Sequence, residues 1–274
     1  MRSSNPVLNS LSAGSRGRNS YQQASPAFDQ YEQPTLGFPP STTDDTRPMT
    51  VDDVVTKTGI TLGIIIVGAI FNFMLASYNP SLAMMLTLVG AIGGLITVLV
   101  GTFKRKFGSK AITLTYAAFE GLFVGGISLM FTNVLVSGAD AGVMIGQAVL
   151  GTLGVFLGML FVYKTGAVKV TPKFTRILTG ALVGVLILMV GNLLLAMFTG
   201  SNPLRDGGTL AIIFSLVCIG LAAMSFLQDF DVADKLIRSG APANYAWGVA
   251  LGLAVTLVWL YTEILRLLSY FRNS

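Results

Sequence analysis

Long apolar runs, repeated and separated by short turns, constrain this chain more than any other feature. Seven stretches are long enough to cross a bilayer: about Val54 to Ser77, Ser81 to Phe103, Ala111 to Val136, Val143 to Tyr163, Ile177 to Thr199, Thr209 to Gln228, and Tyr245 to about Phe271. At about 1.5 Å rise per residue, roughly 20 helical residues span a hydrocarbon core of about 30 Å. Lipid offers no hydrogen bonds, so a crossing segment must satisfy its own backbone, which a helix does. The expected fold class is therefore all-α, a polytopic membrane bundle of seven transmembrane helices. A composition of 53% hydrophobic and only 11% charged residues agrees with it.

The ends of the runs divide the chain. Residues 1–50 are rich in Ser, Pro, Gln, Asn and Gly, have no sustained apolar run, and read as a disordered tail. They also lack the apolar centre of a secretory signal. Thr50 followed by Asp53 has the spacing of a capping box and opens the transmembrane domain, residues 51–274.

Charge orients the bundle. The tail, Lys104 to Lys110, Lys164 to Arg176, and Lys235 with Arg238 fall on one side of the seven crossings, whereas the opposite loops hold Arg205 alone. Positive loops stay in the cytoplasm. The expectation is a plasma-membrane protein with its N-terminus inside and its C-terminus outside. Arg266, within the last run, and Arg272, at its outer end, go against this rule. The net charge of +5 is thus used in topology, and nucleic acid is not an expected partner. The lipid bilayer is, together with membrane proteins contacted through the tail.

Small residues at four-residue spacing predict close helix packing at Ala117, Gly121 and Gly125, at Gly154 and Gly158, at Gly180 and Gly184, and at Gly248 and Gly252. Gln147, Asn192 and Thr256 are single polar groups within spans, read as interhelical hydrogen-bond donors rather than transport groups.

What is missing narrows the chemistry. The chain has one cysteine, Cys218, and no histidine, so Ser-His-Asp catalysis, His-ligated metals and a histidine pH switch are excluded. The last run holds no lysine for a Schiff base. No enzyme and no cofactor is expected, and carboxylates are left as the candidate groups.

Helical spacing sorts these acids. Asp231 has Lys235 four residues on, and Asp234 has Arg238, the acid-first order of satisfied surface pairs. Asp229 has Val232 and Ala233 ahead and Ser225 and Phe226 behind, with no base in reach. It is either a functional acid at the bundle's inner mouth or part of a solvated helix end. Glu120 has no base one turn away, only Tyr116 as a hydrogen-bond donor, and should face the bundle interior. Glu263 has Arg266 three residues on and can be neutralised within its own helix.

Three places in order carry a family resemblance: Phe119-Glu120-Gly121-Leu122-Phe123 with Gly126-Ile127-Ser128; Leu227-Gln228-Asp229; and LAVTLVWLYTEILRLL from Leu253 to Leu268. From about Thr50 to Phe271 the chain resembles the Bax inhibitor-1 family, in its prokaryotic branch with a long N-terminal tail. The resemblance implies six helices around a central seventh and a pH-sensitive calcium leak. It also implies an acid ending helix six that faces an acid on helix seven, the pair gating the pore. Asp229 matches the first acid and is the implied calcium contact. At the second position an ungapped register puts Thr256, while Glu263 lies two turns further on nearly the same face. Gating candidates are therefore Asp229, Glu263, Glu120 and Asp231, supported by Arg266, Thr256 and Tyr116, with Ca2+ as the permeant ion. The alternative is a non-transporting stress regulator that binds other membrane proteins or a membrane protease.

Overall fold

The computed structural model describes residues 47–103, 107–131 and 141–272. Seven helices follow one another: α1 (Val51–Tyr78), α2 (Pro80–Phe103), α3 (Lys110–Leu129), α4 (Ala141–Thr165), α5 (Pro172–Thr199), α6 (Thr209–Arg238) and α7 (Tyr245–Arg272). All seven are long and apolar enough to cross a membrane. The described residues contain no strand, only an isolated antiparallel bridge between Pro48 and Pro242.

Local chemistry sets the helix ends. At α1 the expected capping box is complete: the Thr50 hydroxyl accepts from the Asp53 amide at 3.3 Å, and the Asp53 carboxylate accepts from the Thr50 amide at 3.0 Å. Pro80 cannot continue α1, and the Asn79 side chain accepts from the Leu82 amide at 3.0 Å to start α2. Thr171 caps α5 with Pro172 at its first position, so α5 begins five residues before the apolar run at Ile177. It ends at Gly200, whose φ of 72° is a left-handed cap.

The largest difference from the sequence reading is in α6. Apolarity stops at Gln228, but the helix continues to Arg238. Asp231 pairs with Lys235 at 2.6 Å and Asp234 with Arg238 at 2.8 Å, each one turn apart, so the polar segment stays helical. Asp229 therefore lies about two and a half turns inside a helix rather than at its end.

Helix α7 is the axis. In its apolar window 67% of residues are buried, against 11% in α4 and in α5. Helices α1, α3, α4 and α6 pack directly on it, α2 lies on α1 and α3, and α5 lies on α6. The outer faces present exposed apolar residues such as Ile66, Leu88 and Leu186, as suits lipid.

Backbone contact is closest between α1 and α3. A Cβ at Gly121 would lie 2.7 Å from the Ile65 carbonyl oxygen and 3.0 Å from the Gly68 Cα, so only glycine fits the approach. Gly248 also serves packing, with the Gly108 amide 3.1 Å from where its Cβ would be. The expected stripes on α4 and α5 do not. A Cβ at Gly154, Gly158, Gly180 or Gly184 would meet nothing within 4 Å. Four-residue spacing permits close approach but needs a facing backbone to use it.

Polar groups inside the spans also differ from expectation. Gln147 is exposed on α4. Asn192 bonds not to another helix but to the loop after its own, donating to the Asn202 side chain and accepting from the Leu204 amide at 3.2 Å. The interhelical amide is Asn72, fully buried, donating to the Leu122 carbonyl at 2.6 Å and to the Thr87 hydroxyl at 3.0 Å and so joining α1, α2 and α3.

The expected tail of residues 1–50 lies outside the described residues except at its end, where order precedes Thr50. The Met49 amide donates to the Ala241 carbonyl at 2.7 Å, and the Ala243 amide to the Arg47 carbonyl at 2.8 Å. Met49 is buried, and Arg47 grips Asp53 with two hydrogen bonds of 2.6 and 2.8 Å. These three residues strap the α6–α7 connection to the start of α1.

The glycine geometry yields a paired prediction. Gly121→Val should lower the detergent melting temperature of the full chain, because overpacking a tight contact typically costs about 1–3 kcal/mol. Gly158→Val, facing open space, should leave it within error. Equal shifts for both would contradict the α1–α3 contact described here.

Candidate functional site

The turn of α6 that carries Asp229 packs against both α4 and α7. Phe226 and Phe230 sit edge-on to Phe156 of α4, with ring centroids 5.3 and 5.5 Å apart, and share one apolar cluster with Val249, Leu253 and Leu257 of α7. Asp229, one residue before Phe230, meets α7 as well. There the Thr256 hydroxyl donates to its Oδ2 at 2.7 Å, with the Gly252 carbonyl as a second acceptor at 3.2 Å.

The carboxylate lines a cavity of about 320 Å³ walled by α2, α3 and α7, including Val98, Gly101, Thr113, Gly248 and Val255. Its floor is the turn at Gly108, whose φ of 90° brings it against the start of α7. Among the described residues, none of the lining side chains other than Asp229 carries a charge. Among the described residues, neither Asp229 nor Glu120 has an ion-pair partner.

Cations instead lie beside the N-terminal end of α7. Lys57 donates to the Ala243 carbonyl at 2.6 Å and lies 3.9 Å from Asp53. Lys57 and Lys110 sit 5.7 and 5.8 Å from the centre of the Trp247 ring. This Arg47–Asp53–Lys57 group was half visible in sequence, since Asp53 and Lys57 are one turn apart. Arg47 gave no periodic signal.

Glu120 is in a different place. It opens into a second cavity of about 350 Å³ between α2, α3 and α7, within hydrogen-bonding reach of the Tyr116 hydroxyl. Asp231 is taken by Lys235, as its spacing implied.

Glu263 belongs to neither cavity. It is 1% exposed and bonded to Arg266 at 2.6 Å, while its second oxygen has no hydrogen-bond partner among the described residues. Arg266 also stacks on Phe131 at 5.7 Å. Arg205 of the α5–α6 loop is close to this pair; its own burial, then the like charge of Arg266, lower its pKa from the ordinary value. The second position across from Asp229 is thus filled by Thr256, and Glu263 is part of a separate ion pair toward the other end of α7.

These contacts join the same segments that carried the sequence resemblance, and a family model described as Bax inhibitor 1 like matches residues 5–273. The chain belongs to the Bax inhibitor-1-like family. No curated protein matches the chain at a significant level. Within that family frame the chain is an integral, multi-pass membrane protein whose helix-six acid faces a hydroxyl. The described residues hold no group of three or more cysteine or acidic side chains placed to bind a metal.

The buried pair on α7 can be tested by stability. Arg266→Met strands the Glu263 carboxylate and should destabilise the detergent-solubilised protein by about 3–5 kcal/mol, the usual effect of breaking a buried pair. Adding Glu263→Gln to Arg266→Met should recover much of that loss. Thermal unfolding of the single and double variants would show no recovery if the two side chains act independently.

Proposed function

We propose that this protein is a calcium-permeable leak of the plasma membrane, with Asp229 as its proton-sensitive gate on the cytoplasmic side, and that it is not an enzyme. The observation carrying this reading is a carboxylate in a cavity among apolar helices, held by one neutral hydroxyl and, among the described residues, by no cation. A carboxylate is the oxygen ligand a hard cation prefers, and one acid with few further ligands binds weakly enough to release it. Protonation removes its charge and its appeal to the cation in one step. Thr256 cannot ionise in this range, so it positions Asp229 without sharing its titration.

The orientation follows from loop charge. Reporter fusions after Lys169 should read cytoplasmic and fusions after Gly138 external. A cytoplasmic signal at Gly138 would invert the assignment.

In liposomes containing the full chain, calcium flux should vary with pH, and Asp229→Asn should abolish that variation. Asp234→Asn, whose native partner Arg238 lies on the helix surface, should leave it nearly intact. Absence of flux at every pH would reject the leak and favour a regulator that binds other membrane proteins or a membrane protease. An unchanged pH profile in Asp229→Asn would reject the gate.

A further inference from the structure

We infer that Asp229 and Glu120 are successive cation stations on one route along α2, α3 and α7, separated by an apolar neck at Val98 and Val255. The two cavities, about 320 and 350 Å³, share those two valines in their walls. On α3 the route runs from Thr113 by Tyr116 to Glu120, successive positions of one helical face. On α2 it runs from Gly101 to Gly94, seven residues or about 10 Å of helix.

Gly94 is what lets Glu120 reach the route. A Cβ there would lie 2.9 Å from the Glu120 carboxylate, so any side chain would displace it. The Tyr116 hydroxyl is a polar neighbour of the carboxylate, and no Lys or Arg among the described residues pairs with it. An uncompensated carboxylate among apolar helices is costly, and a passing cation offsets that cost. The oxygens available there, Glu120, Tyr116 and the Thr262 hydroxyl at the cavity wall, make an incomplete shell for calcium, which leaves room for water and for release. The neck separates two such shells, so an ion would pass in two steps.

The role of the stations rests on the leak reading, but access to them can be tested without flux. In a Cys218→Ala background, Ala91→Cys and Val98→Cys are placed in vesicles and treated with a cationic methanethiosulfonate or with uncharged N-ethylmaleimide. Ile92→Cys, on the exposed face of α2, serves as the lipid control. The cationic reagent should modify positions 91 and 98 but not 92, and calcium should slow modification at 91 several-fold. Glu120→Gln should remove that protection. Reaction at 91 with the uncharged reagent alone would mean a lipid-filled groove, and protection unaffected by Glu120→Gln would mean Glu120 holds no ion. Either result overturns the inference.

Flux separates the two levels. If the wild type conducts calcium, Glu120→Gln should reduce the rate about tenfold and Val98→Ala should raise it; wild-type rates in both would overturn the route. If the wild type does not conduct, the leak reading falls and the labelling pattern decides whether the stations exist.

Discussion

Everything in this bundle follows from the polarity of its last helix. Helix α7 carries Thr256, Tyr261, Thr262, Glu263, Arg266 and Ser269 along one length, and a helix so furnished cannot face lipid. It must be surrounded. Four helices pack on it directly, and its ionic pair is closed within the helix itself, leaving each of the other six free to turn an apolar face outward. The inversion relative to a soluble protein is complete: the polar helix is the core, and exposed leucines and isoleucines are the correct surface.

Surrounding one helix with six leaves the packing uneven, and the site depends on that unevenness. Helix α3 reaches α1 through glycine, backbone against backbone, which draws the two together. Helix α2 then rests on that pair, and the space left between it and α7 becomes the two cavities. Side chains fix which acids enter them. Asp229 meets Thr256 of α7 on a turn of α6 packed by Phe156, Phe226 and Phe230, and the absence of a side chain at Gly94 admits Glu120. Among the described residues neither acid has a charge partner, and each sits among apolar neighbours.

That distinction explains how much could be read from the sequence. The crossings were legible because lipid imposes one long-range rule on composition, and the surface pairs of Asp231 and Asp234 because they obey a one-turn spacing. The end of α6 was not, since apolarity marks where a helix leaves lipid and not where it ends. Small-residue spacing found the contact at Gly121 and equally suggested contacts on α4 and α5 that the fold does not make. The strap from Arg47 to Met49 uses non-local backbone hydrogen bonds, which leave no periodic trace. Asn72 passed unnoticed because a single amide in an apolar run looks the same whether it faces Thr87 or lipid.

The meeting of Asp229 with Thr256 was within reach of the ungapped register, and it changes the physics of the site on the proposed reading. Two facing acids share protons, and their titration belongs to the pair, in two macroscopic steps. A carboxylate facing a hydroxyl titrates alone. Its nearest acidic rivals are otherwise engaged, Asp231 by Lys235 and Glu263 by Arg266, and Glu120 is in the adjoining cavity. On the proposed reading a response to pH at this site would be carried by one proton, in a single titration step. The hydroxyl still matters, because its donated hydrogen bond ties Asp229 on α6 to α7, with the Gly252 carbonyl as a second acceptor. Among the described residues it is the polar contact this site provides between α6 and α7, so the acid that would take the proton on the proposed reading is also a tie between the two helices.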